Sequence, residues 1–339
     1  MIKNREISNK KLQLDSLDGL RGLAVLMVFL SHTSLGSIYL FPFADFSGVG
    51  KSGVFLFFVL SSFLLTYPFI KKGAEAKDKS FLVNYALRRF LRVYPLYTLY
   101  LCLGLVTSLF LSRIIGLDKP VGVPFFLTFK DFFEHLILVQ GKGVTWSILV
   151  EFRYYFVLPL LALTYSVILK NKLFPSIVLT IILIIFSQLI WPQSTSLVND
   201  SRLGPYLPVF FMGSLLAVVF HQWQEKKMSK NKVMVFSVEL LGILALLMLI
   251  IMIPSVSEYI TDSEIKFDFY HKQFILFGIL WSIVVFSCIA GLGFIKSFFE
   301  IPFLRYLGFI SFSVYLLHVL VLAVVVKLGI MPSVQGWLM

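Results

Sequence analysis

Apolar runs of about 18 to 24 residues recur along the whole chain, with short polar stretches between them. About 20 apolar residues in a helix are enough to cross the hydrocarbon core of a bilayer. The pattern therefore predicts an all-α fold, a polytopic helical membrane bundle with about nine transmembrane helices. The predicted spans are 20–40, 53–70, 93–112, 147–169, 174–191, 205–222, 233–253, 273–291 and 307–330.

The composition leaves no room for a large soluble domain. Hydrophobic residues make up 58% of the chain and charged residues only 14%, whereas a soluble domain carries nearer a quarter charged. We therefore treat 1–339 as one membrane-embedded domain, with a cytoplasmic segment at 1–19 and a short tail at 331–339. The first span is not expected to be a cleaved signal peptide, because it is too long and no small-residue cleavage site follows it.

The distribution of basic residues predicts the orientation. With the N-terminus in the cytoplasm, the inner segments hold 20 of the 30 Lys and Arg residues and have a net charge of +13, while the outer segments have −1. An excess of Lys and Arg on cytoplasmic loops is typical of membrane proteins. The basic surplus of +12 therefore needs no nucleic-acid partner, and we expect an integral membrane protein with its N-terminus in the cytoplasm.

Segment 122–142 is apolar enough to suggest a tenth span. It carries Lys130, Asp131, Glu134 and His135 near its middle, and charged groups are costly in lipid. We expect an interfacial or re-entrant outer segment instead.

Two short features suggest no catalytic role. Gly50, Lys51 and Ser52 resemble part of a phosphate loop, but that motif needs a glycine where the chain has Asp45. Ser61 and Ser62 lie in a Phe-rich span and are expected to belong to packing or lipid-facing surface.

The two cysteines, Cys102 and Cys288, fall inside spans and indicate neither a disulfide framework nor a metal cluster.

Arg21 and His32 are the first candidate site residues. They are eleven residues apart, so both lie on one face of the first helix, with a rise of roughly 16 Å between them. Arg21 alone can be a topology-setting charge that reaches the interface. His32 lies near mid-membrane, where ionisable residues usually face an interior cavity and serve function. Asp18 can orient Arg21 or balance its charge.

Arg88, Arg89 and Arg92 form a basic cluster at the inner end of the third span. Guanidinium groups bind phosphates in bidentate fashion. Positive-inside anchoring is the alternative interpretation of the cluster.

Polar residues in the fourth and ninth spans complete the candidates. Trp146 can be an interfacial belt residue. Glu151 reaches, from the outer side, roughly the depth that His32 reaches from the inner side, so the two side chains can meet. The alternative is that Glu151 pairs with Arg153. His318 lies near mid-membrane on the face of Tyr315, either as a second site element or as a packing histidine.

Glu239 lies near one end of the seventh predicted span, where snorkelling to the interface explains it.

The chain resembles the acyltransferase-3 family of integral membrane O-acyltransferases over nearly its whole length. The resemblance rests on motifs in the family's order: "LDGLRG" with Arg21 and His32 separated by ten residues, "GVFLFFVLSSFLL", "RRFLRVYPLY", "WSILVEFRYYF" and "SFSVYLLH". Ser62 departs from the family, which usually has glycine there. The family also commonly has a further span after the histidine-bearing one, and we do not expect the nine residues after position 330 to supply it.

The resemblance implies O-acylation, most often O-acetylation, of an envelope or exported carbohydrate, and a location in a bacterial cytoplasmic membrane. The implied donor is a cytoplasmic acyl-CoA, typically acetyl-CoA, used as a co-substrate with no bound cofactor and no metal. The implied partners are the lipid bilayer, acyl-CoA and an acceptor that is a polysaccharide, a lipid-linked oligosaccharide or a glycolipid.

The resemblance and the residues together assign roles to ten side chains. We expect His32 to act as base or transient acyl carrier, with Glu151 as its partner. Donor-binding or site-supporting residues are Arg21, Arg88, Arg89, Arg92, Trp146 and Ser147. A second element comprises Tyr315 and His318.

Two other functions are compatible with these residues. A proton-coupled transporter or flippase would use the buried histidine and glutamate as a proton relay. An inactive partner in a polysaccharide-export complex would need no catalytic residues. The sequence does not identify the acceptor sugar, the acyl group or the oligomeric state.

Overall fold

The computed structural model describes residues 15–36, 39, 45–114, 127–262 and 272–327. All regular structure in these ranges is helical, and they contain no strand. Most of the predicted segment 1–19 and all of the tail 331–339 lie outside the described residues. The α-helices are α1 Asp15–Leu35, α2 Val49–Lys72, α3 Lys79–Ile114, α4 Phe129–Leu136, α5 Thr145–Leu163, α6 Leu173–Ile190, α7 Leu207–Glu225, α8 Lys232–Ile251, α9 Pro254–Thr261, α10 Phe274–Ala290, α11 Phe294–Phe299, α12 Pro302–Phe309 and α13 Ser311–Lys327.

The prediction of an all-helical membrane bundle is confirmed. Six helices in the described part of the chain are long and apolar enough to cross a membrane: α2, α3, α5 with the π-helical turn Thr164–Ile168 that continues it, α6, α7 and α8. The predicted span 307–330 is instead a broken one, because α12 and α13 meet at an angle of 80° and count together as a seventh candidate. α10 is apolar but shorter. The number of nine spans stays a prediction.

Two helices differ in extent or polarity from the spans predicted for them. α3 begins at Lys79, well before the predicted start at 93, so Arg88, Arg89 and Arg92 lie within the helix. α1 is 21 residues long but is not among the apolar candidates. Its polar residues, including Arg21 and His32, lower its hydropathy.

α2 lies at the centre of the bundle. It packs against α1, α5, α7 and α10, and its Phe55, Phe58 and Phe63 are almost completely buried. A helix that is apolar all round is expected in such a core position.

Glycines let α1 approach α11 and α12 backbone to backbone. A Cβ built on Gly19 would lie 1.7 Å from the carbonyl oxygen of Phe299, and one on Gly308 would lie 1.7 Å from that of Asp18. Gly22 similarly faces Leu304. The glycines of the "LDGLRG" motif therefore fix the position of Arg21, which lies between them.

Close packing is retained at Ser62, where the resemblance stated above leads us to expect a glycine. A Cβ on Gly213 of α7 would lie 2.0 Å from Ser62 Oγ. The Ser62 hydroxyl donates to the carbonyl of Phe58 at 2.7 Å. The glycine on the facing helix thus leaves the space that the serine fills.

Glu239 is not a snorkelling residue. Its side chain is buried, and its carboxylate accepts hydrogen bonds from the backbone N–H groups of Ile295 at 2.7 Å and Gly293 at 3.3 Å. It therefore caps the N-terminus of α11, and a carboxylate at a helix N-terminus also interacts favourably with the helix dipole.

The described part of the outer segment, 127–142, contains the short helix α4. Thr128 and Asp131 form a capping box at its N-terminus. Hydrogen bonds from the Thr128 hydroxyl and from Lys142 lower the pKa of Asp131 to about 2. Eight residues rise only about 12 Å, too little to cross a bilayer, and Phe129 and Phe133 are exposed. The interfacial placement stays a prediction, and residues 122–126 lie outside the described residues.

Candidate active site

A cavity of about 100 Å³ lies among the polar side chains of five helices, α1, α2, α3, α5 and α13. Apolar residues of α2 and α13, such as Phe57 and Phe312, form part of its wall. Its polar lining residues are Arg21, Ser61, Arg89, Arg92, Ser147, Glu151, Tyr155, Ser311 and Tyr315. The cavity thus brings together six of the ten side chains to which the sequence assigns roles.

Glu151 is held by a serine from a different helix. The Ser61 hydroxyl of α2 donates a hydrogen bond to Glu151 Oε1 of α5. Tyr155, one turn further along α5, interacts with both groups. A serine and a carboxylate in such contact can exchange a proton.

Three guanidinium groups converge on the same cavity. Arg21 donates a hydrogen bond to Asp18 at 2.8 Å, so of the two interpretations of Asp18 the geometry favours orientation of the arginine. Arg21 is close enough to Arg89 and Arg92 for the positive charges to repel one another. Arg89 Nε is buried without a hydrogen-bond partner. The cluster is therefore suited to an anionic ligand.

Arg88 does not line this cavity. It is exposed and lies in an adjoining groove of about 330 Å³ between α2 and α3, together with Lys72, Asn84 and Tyr85. Arg89 lines both spaces. The four arginines therefore line one continuous surface that runs from the groove into the cavity. They do not form a single cluster.

Ser147 and Tyr315 connect α5 to α13. Their hydroxyl oxygens are 2.6 Å apart, and the Tyr315 hydroxyl also donates to the carbonyl of Val144 at 3.1 Å. Both residues line the cavity that Ser61 also lines, so this contact joins two of its walls.

His32 and His318 face each other. Their rings meet edge to face, with centroids 4.8 Å apart. Each Nδ1–H donates to a carbonyl of its own helix, to Val28 from His32 at 2.9 Å and to Tyr315 from His318 at 2.7 Å. These hydrogen bonds leave both Nε2 atoms unprotonated in the neutral rings, so each can accept a proton.

His32 and Glu151 have different partners in the structure. Within the described residues, no hydrogen bond joins them: Glu151 contacts Ser61, and His32 contacts His318. Nor does Arg153 pair with Glu151, because it donates to the carbonyls of Ser201 and Val139. Tyr315 lines the cavity and contacts His318, with ring centroids 5.9 Å apart, so it connects the two centres.

Trp146 is not an interfacial belt residue. It is buried, and the ammonium group of Lys51 lies 3.8 Å from the centroid of its ring. Lys51 is itself buried and donates to the Tyr206 hydroxyl at 3.1 Å. This contact is a cation–π interaction, and it supports the start of α5 next to Ser147.

Sequence reasoning missed Ser61, Tyr155 and Lys51. Ser61 is expected from the sequence to belong to packing or lipid-facing surface because its neighbours are nearly all apolar, and that expectation is wrong. The available signal was a pair of adjacent serines in the middle of an apolar span. A helix places adjacent residues about 100° apart, so the two cannot share one environment.

The arrangement suits acyl transfer. The arginines can bind an anionic donor, the Ser61 and Glu151 pair can activate an oxygen nucleophile, and the histidine pair can accept a proton. Among the described residues, no three His, Cys, Asp or Glu side chains lie close enough together to hold a metal ion.

A family model described as "Acyltransferase domain" matches residues 14–339. A Staphylococcus aureus (strain COL) protein named "Putative O-acetyltransferase" is 25% identical over 333 residues, which cover 92% of this chain and 51% of that protein. The peptidoglycan O-acetyltransferase OatA of Listeria monocytogenes is 24% identical over 324 residues, covering 89% and 48%.

A third relative matches over a shorter range. The acyltransferase MdmB of Streptomyces mycarofaciens is 28% identical over 164 residues, which cover 44% of this chain and 39% of that protein. The chain spans about half the length of the first two relatives. No solved structure matches.

Proposed function

Because the chain belongs to the acyltransferase-3 family of membrane acyltransferases, we propose that it moves an acetyl group from a cytoplasmic acyl-CoA to a hydroxyl of an envelope or exported carbohydrate. The observation that carries the proposal is the cavity that joins three guanidinium groups to the Ser61 and Glu151 pair. Donor binding and oxygen activation are the two requirements of O-acyl transfer from a thioester.

The donor would bind along the surface that runs from the groove into the cavity. CoA carries phosphates at one end and the thioester at the other. Arg88 and Lys72, which line the groove, would hold the phosphates. Arg89, which lines both spaces, would hold the donor at the boundary, so that the thioester lies near Glu151.

His32 would act on the acceptor. Its Nε2 is free to accept a proton because Nδ1 is committed to the Val28 carbonyl. Histidine suits this role because its ordinary pKa lies near neutral pH. Two routes are open: His32 deprotonates the acceptor hydroxyl, or it carries the acyl group itself.

The proposed orientation places the arginines at the cytoplasmic side, with nine spans and the N-terminus inside. The positive-inside count supports it. Single cysteines at exposed Lys227 and Thr195, in a variant lacking both Cys102 and Cys288, would test it. An impermeant thiol reagent should label position 195 in intact cells and position 227 only after lysis; the reverse pattern contradicts this topology.

The activity is tested with acetyl-CoA and a cell that lacks the gene. Envelope carbohydrates are isolated with and without the protein and analysed by mass spectrometry, and purified protein is assayed for release of free CoA. Carbohydrate that gains the mass of acetyl groups only with active protein supports the proposal. Succinyl-CoA tests the alternative acyl group. Unchanged carbohydrate together with no CoA release from either donor contradicts the proposal.

A further inference from the structure

Ser61 and Glu151 form a nucleophile and base pair within the proposed donor cavity. The serine belongs to α2 and the carboxylate to α5, and both line the cavity. We propose that Ser61 attacks the thioester and carries the acyl group transiently as an ester. This inference rests on the proposed function, and it assigns the acyl carrier to Ser61 in place of His32.

The local environment favours this role for the serine. A hydroxyl is a weak nucleophile unless an adjacent base takes its proton. The hydrogen bond to Glu151 Oε1 supplies that base. Tyr155 lines the same cavity beside these two groups, and we expect it to act as the third group that orients the base in such arrangements.

The adjacent serine shows that this contact is specific to position 61. Ser62 is fully buried, and its hydroxyl donates to the carbonyls of Phe58 and Val59 in its own helix. It does not line the cavity. Ser61 points instead into a space that contains three guanidinium groups.

The arginines would stabilise the charges that develop during the attack. The tetrahedral intermediate carries a negative oxygen, and the departing CoA sulfur carries a negative charge. Arg21, Arg89 and Arg92 line the same cavity. Fixed positive charge at the place where negative charge develops is commonly a large contribution to catalysis.

The first half of the reaction forms the serine ester. Ser61 Oγ gives its proton to Glu151 and forms a bond to the thioester carbonyl carbon. The carbon–sulfur bond breaks, and CoA leaves as a thiolate.

The second half transfers the acyl group to the acceptor. The acceptor oxygen bonds to the carbonyl carbon of the ester, and its proton passes to His32 and then to water. The bond from that carbon to Ser61 Oγ breaks, and Glu151 returns to Oγ the proton that it took first. The enzyme is thereby restored.

The experiment is a trapping assay with the full chain in lipid nanodiscs. Purified protein is mixed with isotopically labelled acetyl-CoA without acceptor, quenched in acid, digested and analysed by mass spectrometry. The expected result is one labelled acetyl group on Ser61, removed by mild base as an ester is. Label on His32 overturns the proposal, and so does acetyl-CoA-dependent product formation in a parallel reaction with acceptor when no labelled Ser61 is found.

Matched variants separate a chemical role from a structural one. Ser61→Ala should lose the label and at least about 10²-fold of the turnover, as expected when a positioned nucleophile and base pair is broken. Ser62→Ala should retain the label and most of the turnover. Ser61→Cys should trap the acetyl group as a thioester that hydroxylamine cleaves. If Ser61→Ala does not fold, the presence or absence of label at position 61 in wild type and in Ser61→Cys still tests whether this position carries the acetyl group.

The trapping assay and a parallel reaction with carbohydrate acceptor together distinguish failure of this inference from failure of the proposed function. Wild-type protein that acetylates carbohydrate from acetyl-CoA without acylation at Ser61 leaves the proposed function intact and refutes the serine carrier. Wild-type protein that neither releases CoA nor modifies carbohydrate refutes both.

Discussion

The imidazole rings of His32 and His318 meet edge to face, 4.8 Å between centroids, at the contact between α1 and α13. Both rings donate from Nδ1 to a carbonyl of their own helix, so both present Nε2 to the space around the contact. His318 Nε2 is buried without a hydrogen-bond partner. The partner of His32 in this structure is therefore a second histidine and not the glutamate that helix depth suggested.

Replacing His32 with Asn should remove the base and keep the fold. The Asn amide can still donate to the Val28 carbonyl, as Nδ1 does, but it has no group that accepts a proton at neutral pH. Turnover should fall by roughly 10²–10⁴-fold, measured as acetylated product per correctly inserted protein. Near-normal turnover would exclude His32 as the base.

His318 should act together with His32. His318→Leu removes the buried Nε2 that lies beside His32, and we expect turnover to fall by less than it does in His32→Asn. In the double variant, the loss should be scarcely greater than in His32→Asn alone, because groups that act as a unit are not additive. The measurement is the rate of product formation by wild type, the two single variants and the double variant. Two losses that multiply would show that the histidines act independently.

An acyl donor that lacks the CoA phosphates should distinguish the role of Arg88 from that of Arg89. Arg88 lies in the groove, where the phosphates would bind, while Arg89 also lines the cavity. Arg88→Ala should raise the KM for acetyl-CoA but not for S-acetylpantetheine, which lacks the phosphates. Arg89→Ala should impair both. The assay is CoA or pantetheine release, and equal sensitivity of the two variants to truncation would contradict this division.

Gly19→Ala and Gly308→Ala should destabilise the bundle. Each new Cβ would lie 1.7 Å from a carbonyl oxygen of the facing helix, so the helices must move apart, at a cost of about 1–3 kcal/mol. Thermal unfolding in detergent measures the effect. Gly104→Ala is the control, because its Cβ would meet only the end of the Leu127 side chain, at 3.0 Å. An unchanged Tm in both test variants would mean that this contact is not tight.

The capping box of α4 should give a pH-dependent stability. The pKa of Asp131 is lowered to about 2 by the Thr128 hydroxyl and Lys142, below its ordinary value of about 3.9. A lowered carboxyl pKa stabilises the fold above the ordinary value, and the contribution is lost as the pH falls through about 2. Amide hydrogen exchange in 132–138 should therefore lose protection between about pH 4 and 2.

Thr128→Ala provides the matching variant at neutral pH. Loss of an N-cap hydroxyl typically costs about 0.5–2 kcal/mol, so the same amides should exchange faster at pH 7, while those of α7 should be unaffected. Equal exchange in wild type and variant would show that the box does not stabilise α4.

The sequence determined the fold class and several of the side chains that meet in the cavity. Apolar runs of membrane-spanning length leave helices as the only way to satisfy their backbone groups, and the described residues are helical as expected. Arginines and acids are costly in such helices, so they signal function by their position alone. That is why the amino-acid sequence was enough to identify Arg21, Arg89, Arg92 and Glu151 as candidates.

Only the tertiary structure decided which of these residues touch. Helical spacing gives depth along one helix, but the rotation of each helix about its axis depends on side-chain packing between helices. Rotation directs Glu151 towards Ser61 and His32 towards His318. It leaves Arg88 in the groove alone, while Arg89 lines both the groove and the cavity. The glycine contacts between α1 and α12 fix such rotations. They depend on residues nearly 300 positions apart, which no pattern within a single helix contains.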